Sequence, residues 1–166
     1  MALRNSMTRQ TFEKYFKEHY SLVSRVAFMQ VKGHADAEDV VQDVFIRLLK
    51  YQPHFENSEH EKAWFIRTTI NICKDLIKSK WHSTTVSIEK IPESEKSYFH
   101  LPHVQEDETL WEILTLPEKY KNCLYFFYYE GYSIKEIAQI LKIPENTVKT
   151  NLRRGREMLK ETLSKK

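Results

Sequence analysis

The stretch that decides the fold is Gly131-Tyr132-Ser133-Ile134-Lys135-Glu136-Ile137-Ala138-Gln139-Ile140-Leu141-Lys142-Ile143-Pro144-Glu145-Asn146-Thr147-Val148-Lys149-Thr150-Asn151-Leu152-Arg153-Arg154-Gly155-Arg156. Ser133 is placed to cap the first amides of a helix, and Glu136, three residues on, completes a capping box. Ile134, Ile137, Ala138 and Leu141 then line one face, and Pro144 is expected to end that short helix because a proline cannot continue it. A second helix follows with Val148, Leu152 and Leu159 inward, at spacings of four and seven. Two short helices across a tight turn make a helix-turn-helix, with Ala138 where the backbones approach.

The outward face of the second helix is basic. Lys149, Arg153, Arg156 and Lys160 follow at steps of four, three and four, with Arg154 beside them and Glu145, Asn146, Thr147 and Thr150 in the first turns. In helices of this kind the N-terminal turns reach base edges while long cations further along hold phosphates. Asn146, Thr147, Lys149 and Thr150 are therefore candidate base-edge contacts, and Arg153, Arg154 and Arg156 candidate phosphate contacts. The competing reading is a solvated charged face.

Outward from this region the chain reads as helical throughout. Among 166 residues there are three Gly, 41% apolar side chains and 30% charged ones, with apolar residues recurring at helical spacing and few β-branched alternations. A first helix is expected from Thr11 to Val31, striped by Phe12, Tyr15, Phe16, His19, Leu22, Val23, Val26 and Ala27 and ended by Gly33. A second begins near Asp36, carries Val40, Val41, Val44, Phe45, Leu48 and Leu49 on one side, and stops before Pro53. A third runs from about Glu59 to Trp81. Between Ser83 and Val104 the periodicity fails, and helices resume at Glu106–Leu116 and Glu118–Tyr129. The fold class is thus all-α: two small helical domains, 1–84 and 106–166, joined by a flexible acidic linker, 85–105.

Charge separates along the same lines. Residues 86–116 hold 2 basic and 7 acidic side chains, a net of −5, whereas residues 131–166 hold 9 and 4, a net of +5, within a chain of net +3. A basic end joined through an acidic middle suits a tail that meets a polyanion. No apolar run approaches the roughly 20 residues that span a bilayer, and Met1 to Gln10 lack a signal-peptide stretch, so a cytoplasmic location is expected. Cys73 and Cys123, 50 positions apart, read as reduced, packed thiols.

Two constellations mark the N-terminal half. Asp36, Asp39 and Asp43 share a helix face, where they repel one another unless a basic partner faces them; the alternative is the ordinary preference of acids for a helix start. Along the third helix Arg67, Asn71, Lys74, Lys78 and Trp81 recur at steps of four, three, four and three, opposite a core side of Ile66, Ile70, Cys73, Leu76 and Ile77. Cations and amides beside an exposed aromatic, with Phe55 and Asn57 in the preceding loop, form the combination used for single-stranded nucleic acid. Trp64 and Phe65 are expected in the core, while Trp81 fits the core and the nucleic-acid face equally.

These residues resemble those of bacterial RNA polymerase sigma factors of the extracytoplasmic-function (ECF) group. The resemblance is carried by Asp36-Ala37-Glu38-Asp39-Val40-Val41-Gln42-Asp43-Val44-Phe45, by Trp64-Phe65-Ile66-Arg67 with Asn71 and Asp75, and by Leu116-Pro117. Gly131 to Ala138, Val148-Lys149 and Leu152 to Arg156 complete it, in family order. It implies that Asp36, Asp39, Gln42 and Asp43 dock on a coiled coil of the polymerase core. It implies further that Phe55, Asn57, Arg67, Asn71, Lys74, Lys78 and Trp81 open and hold the −10 promoter element as single strand, and that the helix from Asn146 to Arg156 reads the −35 element as duplex. The acidic linker is expected to run toward the RNA exit path as a nucleic-acid mimic. Implied partners are the polymerase core, through its β′ coiled coil and β flap, promoter DNA and an anti-sigma factor; no cofactor, metal or small-molecule substrate is implied.

Two positions depart from the family pattern. Lys142 stands where Gly is common, so the turn is expected to close differently; Gly155 stands where Ala is usual, which weakens the helix by about 1 kcal/mol and bears on how Arg154 and Arg156 are oriented. A stand-alone helix-turn-helix regulator with an N-terminal sensing module is the alternative function, and it leaves the N-terminal motifs without a purpose. An enzyme is disfavoured. The seven His are scattered, with His100 and His103 an isolated pair, and no phosphate loop, metalloprotease motif or nucleophile elbow occurs.

Overall fold

The computed structural model describes the backbone of residues 7–83 and 108–165, and the side chains of 7–79 and 108–165. All regular structure among these residues is helical: α1 (Arg9–Val31), α2 (His34–Tyr51), α3 (Ser58–Ser83), α4 (Glu108–Ile113), α5 (Glu118–Tyr128), α6 (Ile134–Leu141) and α7 (Glu145–Ser164). The chain divides into two compact units, Met1–Val86 and Ser87–Lys166. The expected acidic linker, 85–105, and the pair His100 and His103 lie outside the described residues.

In the first unit α1, α2 and α3 pack pairwise on one another. Val26, Ala27 and Met29 from α1, Val44 and Leu48 from α2, and Phe65, Ile66 and Cys73 from α3 are sealed from solvent. Burying an aliphatic or aromatic side chain of this size contributes about 1.5–3 kcal/mol, so this shared core is what turns marginal single helices into a unit. His19 ties the first helix to the third: its Nε2–H donates to Glu61 Oε2 at 3.0 Å, and its ring stacks on Phe65 at 4.1 Å.

The helix ends differ from expectation in an instructive way. Gly33 does not end α1. Lys32 takes the left-handed conformation (φ 58°) and its N–H donates to the Phe28 carbonyl, while Gly33 is extended and serves as N-cap of α2. A two-residue connection needs one left-handed and one extended residue, and glycine is favoured in either place, so its presence alone does not choose. Burial holds the Lys32 amine below its ordinary pKa. Gln52 repeats the left-handed ending at the close of α2 (φ 43°).

Three residues expected on buried stripes face outward. Phe16 of α1 is 40% exposed, Leu49 of α2 44% and Ile77 of α3 44%. Each helix turns about 100° per residue, so a wide apolar stripe outruns the area its neighbours cover. On α3 the covered side is instead completed by Phe65 and Ile72.

In the second unit α5 and α7 form the main contact, with α4 and α6 packed against both. Leu110, Ile113, Leu114, Leu124, Tyr125, Phe126, Ile137 and Val148 are buried. The Tyr125 hydroxyl donates to Glu130 Oε2 at 2.8 Å, which keeps a buried phenol satisfied. Gly131 follows with φ +73°, a conformation that admits glycine most easily, and turns the chain into α6.

Candidate nucleic-acid and polymerase interfaces

The capping box predicted for α6 is present. The Glu136 N–H donates to Ser133 Oγ at 3.1 Å, and the Ser133 N–H donates to Glu136 Oε1 at 3.3 Å. The helix stops at Leu141, ahead of Pro144. Lys142 takes φ 55° and both its N–H and that of Ile143 reach the Ala138 carbonyl. The turn therefore closes through the left-handed geometry that glycine supplies, with lysine bearing the conformational strain, and no different closure is needed. Pro144 is not the terminator of α6 but the N-cap of α7, extended at φ −62° and ψ 149°, with its carbonyl accepting from the Val148 N–H at 3.1 Å.

This turn fixes which side of α7 faces the unit. Val148, Asn151, Leu152 and Gly155 are buried, whereas Asn146, Thr147, Lys149, Arg153, Arg154, Arg156 and Lys160 are exposed and Thr150 is half-buried. Lys149, Arg153, Arg156 and Lys160 form one stripe of positive charge along α7, with Arg154 beside it. Arg153 reaches Glu157 only loosely, at 3.8 Å. Arg156 donates from Nη1 to the Tyr128 hydroxyl of α5 at 2.8 Å. Sequence reasoning missed both Tyr128 and Asn151. The Asn151 side-chain amide donates to Cys123 Sγ at 3.8 Å inside the unit. Burial pushes the Cys123 thiol above its ordinary pKa, and the Asn151 hydrogen bond works the other way.

Gly155 owes its place to packing. A Cβ built on it would lie 2.7 Å from Leu124 Cδ1 and 3.3 Å from Tyr120 Cβ, so α5 and α7 approach so closely that a side chain here would require Leu124 to shift. Tyr120, Leu124 and Tyr128 recur at steps of four along α5, the one sequence signal for the face that receives α7.

On α2, Asp39, Gln42 and Asp43 are exposed on one side and Asp36 is half-buried in the first turn. Beside them lies a feature no periodicity announced: a groove of about 460 Å³ between α1 and α2, lined by Phe12, Phe16, Tyr20, Gln42, Phe45 and Ile46. Exposed apolar side chains gathered in one groove mark an interaction surface far better than scattered ones do.

On α3, Asn71, Lys74 and Lys78 are exposed and Arg67 is half-buried. The Trp81 side chain lies outside the described residues. Phe55 is half-buried, edge-on to Tyr15 at 5.8 Å, His60 at 5.7 Å and Trp64 at 5.8 Å, so it anchors the loop before α3. Asn57 is exposed and caps α3, its Oδ1 accepting from the His60 N–H at 2.8 Å. His60 holds the same loop from its ring, Nδ1 accepting from the Glu56 N–H at 3.2 Å. Phe65 is in the core as expected, and Trp64 is half-buried.

The ligand atoms of Glu18, His19 and Glu61 lie within 4.8 Å of one another. The His19–Glu61 hydrogen bond that joins α1 to α3 accounts for this cluster. No helix among the described residues is long and apolar enough to cross a membrane.

Comparison with known proteins joins these surfaces. Residues 15–83 match the family model described as Sigma-70 region 2, and residues 112–159 that described as Sigma-70, region 4. The chain is 30% identical over 145 residues to the ECF RNA polymerase sigma factor SigW of Bacillus subtilis, covering 77% of this chain and 75% of that one. It is 28% identical over 152 residues to the RNA polymerase sigma factor SigV of the same organism, covering 89% and 88%. Among solved structures it is similar to the sigma factor RpoE in complex with the anti-sigma factor NepR from Bartonella quintana, at a TM-score of 0.73 and 20% identity, over 93% of this chain and 98% of that one. Two regions in the same order, one in each unit, and a relative matched over three quarters of its length leave one conclusion: the chain belongs to the ECF RNA polymerase sigma factors.

Proposed function

We propose that the protein performs the sigma-factor task, binding RNA polymerase core and directing it to promoters, by dividing it between two units. In the domain 1–84, Asp36, Asp39, Gln42 and Asp43 dock on the β′ coiled coil of the core. The loop bearing Phe55 and Asn57, with Arg67, Asn71, Lys74, Lys78 and Trp81 of α3, opens the −10 element and holds it as single strand; cations along a strand beside aromatic rings suit that task. Phe55 acts there by shaping the loop. In the domain 106–166, Asn146, Thr147, Lys149 and Thr150 meet base edges of the −35 duplex, Arg153, Arg154 and Arg156 meet its phosphates, and the unit rests on the β flap. The segment 85–105 joins the two along the polymerase.

The observation that carries this reading is the two-sidedness of α7: Val148, Asn151, Leu152 and Gly155 are buried while Lys149, Arg153, Arg154 and Arg156 stand exposed on the other side. All its energy comes from binding, so no cofactor, metal or substrate turnover is involved, and the work is cytoplasmic, where polymerase is. RpoE is held by an anti-sigma factor; the exposed face of α2 suits a partner of the same class here.

Transcription in vitro tests the reading directly, with this protein, purified bacterial core polymerase and a pool of promoter fragments from its own genome. Initiation at a subset of fragments, dependent on the protein, is expected. Duplex binding without core binding or transcripts would instead make it a stand-alone regulator.

A further inference from the structure

We propose that Tyr128 is a positioning residue for Arg156 in the grip on duplex DNA, a role that rests on reading α7 as the −35 helix. Tyr120 and Leu124 of α5 abut Gly155 so closely that a Cβ there would force Leu124 to shift. Tyr128 lies one turn further along the same face, and is thereby brought against the residue that follows Gly155. Its hydroxyl accepts from Arg156 Nη1 at 2.8 Å. The tyrosine is 47% exposed, so the pair sits at the surface and not in the core.

The consequence is one of order. A free arginine side chain loses rotamer freedom when a phosphate fixes it, and that loss subtracts from the affinity gained. Held by the phenol before DNA arrives, Arg156 has part of that freedom already removed, and the rest of its planar fork of donors remains for an anion. Among the α7 cations assigned to phosphates, this contact is the one anchored from another helix: Arg153 meets only Glu157 of its own helix, at 3.8 Å. The pair joins two side chains at the surface, so its worth of about 1 kcal/mol goes into holding the arginine and not into a buried core. Positioning gives it a use.

The test uses the full chain and a duplex that the wild-type protein has selected from a random-sequence pool, with affinity read by fluorescence anisotropy over a range of salt. Tyr128→Phe keeps the ring and its edge-on contact with Phe127 at 5.0 Å, and removes only the oxygen. Its affinity is expected to fall by about three- to tenfold, the range of one modest hydrogen bond. In an Arg156→Ala background the same change is expected to have no effect. Arg156→Ala should lower the slope of log affinity against log salt by about 0.9, as for one lost phosphate contact, while Tyr128→Phe leaves the slope unchanged because the cation still reaches its phosphate. Wild-type affinity for Tyr128→Phe, or an equal loss with and without Arg156, overturns the proposal; so does a loss matched by a lower unfolding temperature. Failure of the wild-type protein to select any duplex would overturn the DNA-binding reading of α7 and this role with it.

Discussion

Gly155 stands inside α7, where glycine weakens a helix by about 1 kcal/mol relative to alanine. Propensity alone makes Gly155→Ala stabilising. Packing opposes it: the new Cβ would sit 2.7 Å from the buried Leu124 Cδ1, and forcing a methyl into a filled core costs about 1–3 kcal/mol. Overpacking outweighs the gain in helix propensity, so urea unfolding of Gly155→Ala is expected to show a net loss of about 1 kcal/mol; a gain would mean that α5 moves aside freely. What was legible here was the unusual residue, not its reason, because the reason sits on α5, some thirty positions away. Lys142 is the converse. A lysine at φ 55° bears the strain that glycine avoids, and sequence offered the missing glycine as a change of turn when the turn itself is kept.

At the level of single helices, local signals are the most legible. Ser133 and Glu136 specify the start of α6 within four residues, and each of the two hydrogen bonds they imply is made. The basic stripe of α7 was equally visible, since its spacing is a property of the helix alone. Its function has a quantitative consequence. Arg153 is paired only loosely with Glu157, an exposed contact that a phosphate displaces readily. Arg153→Ala should therefore reduce the salt slope of duplex binding by about 0.9, with the affinity for core polymerase unchanged. An unaltered slope would place Arg153 off the DNA. Helix periodicity misjudged Phe16 and Leu49, by contrast, because a stripe tells which side of a helix is apolar and not how much of it a neighbour covers.

For the molecule as a whole, the all-helical class and the two-part organisation follow from periodicity and its interruption, and the acidic stretch 86–116 ahead of the basic end 131–166 marks the same region of the chain. The groove between α1 and α2 was not legible, since it exists only once two helices cross; its residues are scattered over α1 and α2, from Phe12 to Leu49. Two units with separate tasks should fail separately. If α2 docks on the core as proposed, reversing its charge with Asp39→Lys and Asp43→Lys is expected to weaken core-polymerase binding at least about tenfold, while duplex binding by α7 keeps its wild-type affinity. Measuring both affinities on one protein preparation checks this. Loss of both together would show that the surfaces are not independent.

The connection between α1 and α2 is only Lys32 and Gly33, one left-handed and one extended, each already committed to a helix end. No further residue separates the two helices, so the connection holds no slack length. The angle between the two helices is accordingly constrained both by this short connection and by the core they share, and a partner landing on that surface meets a backbone shape already cast by folding.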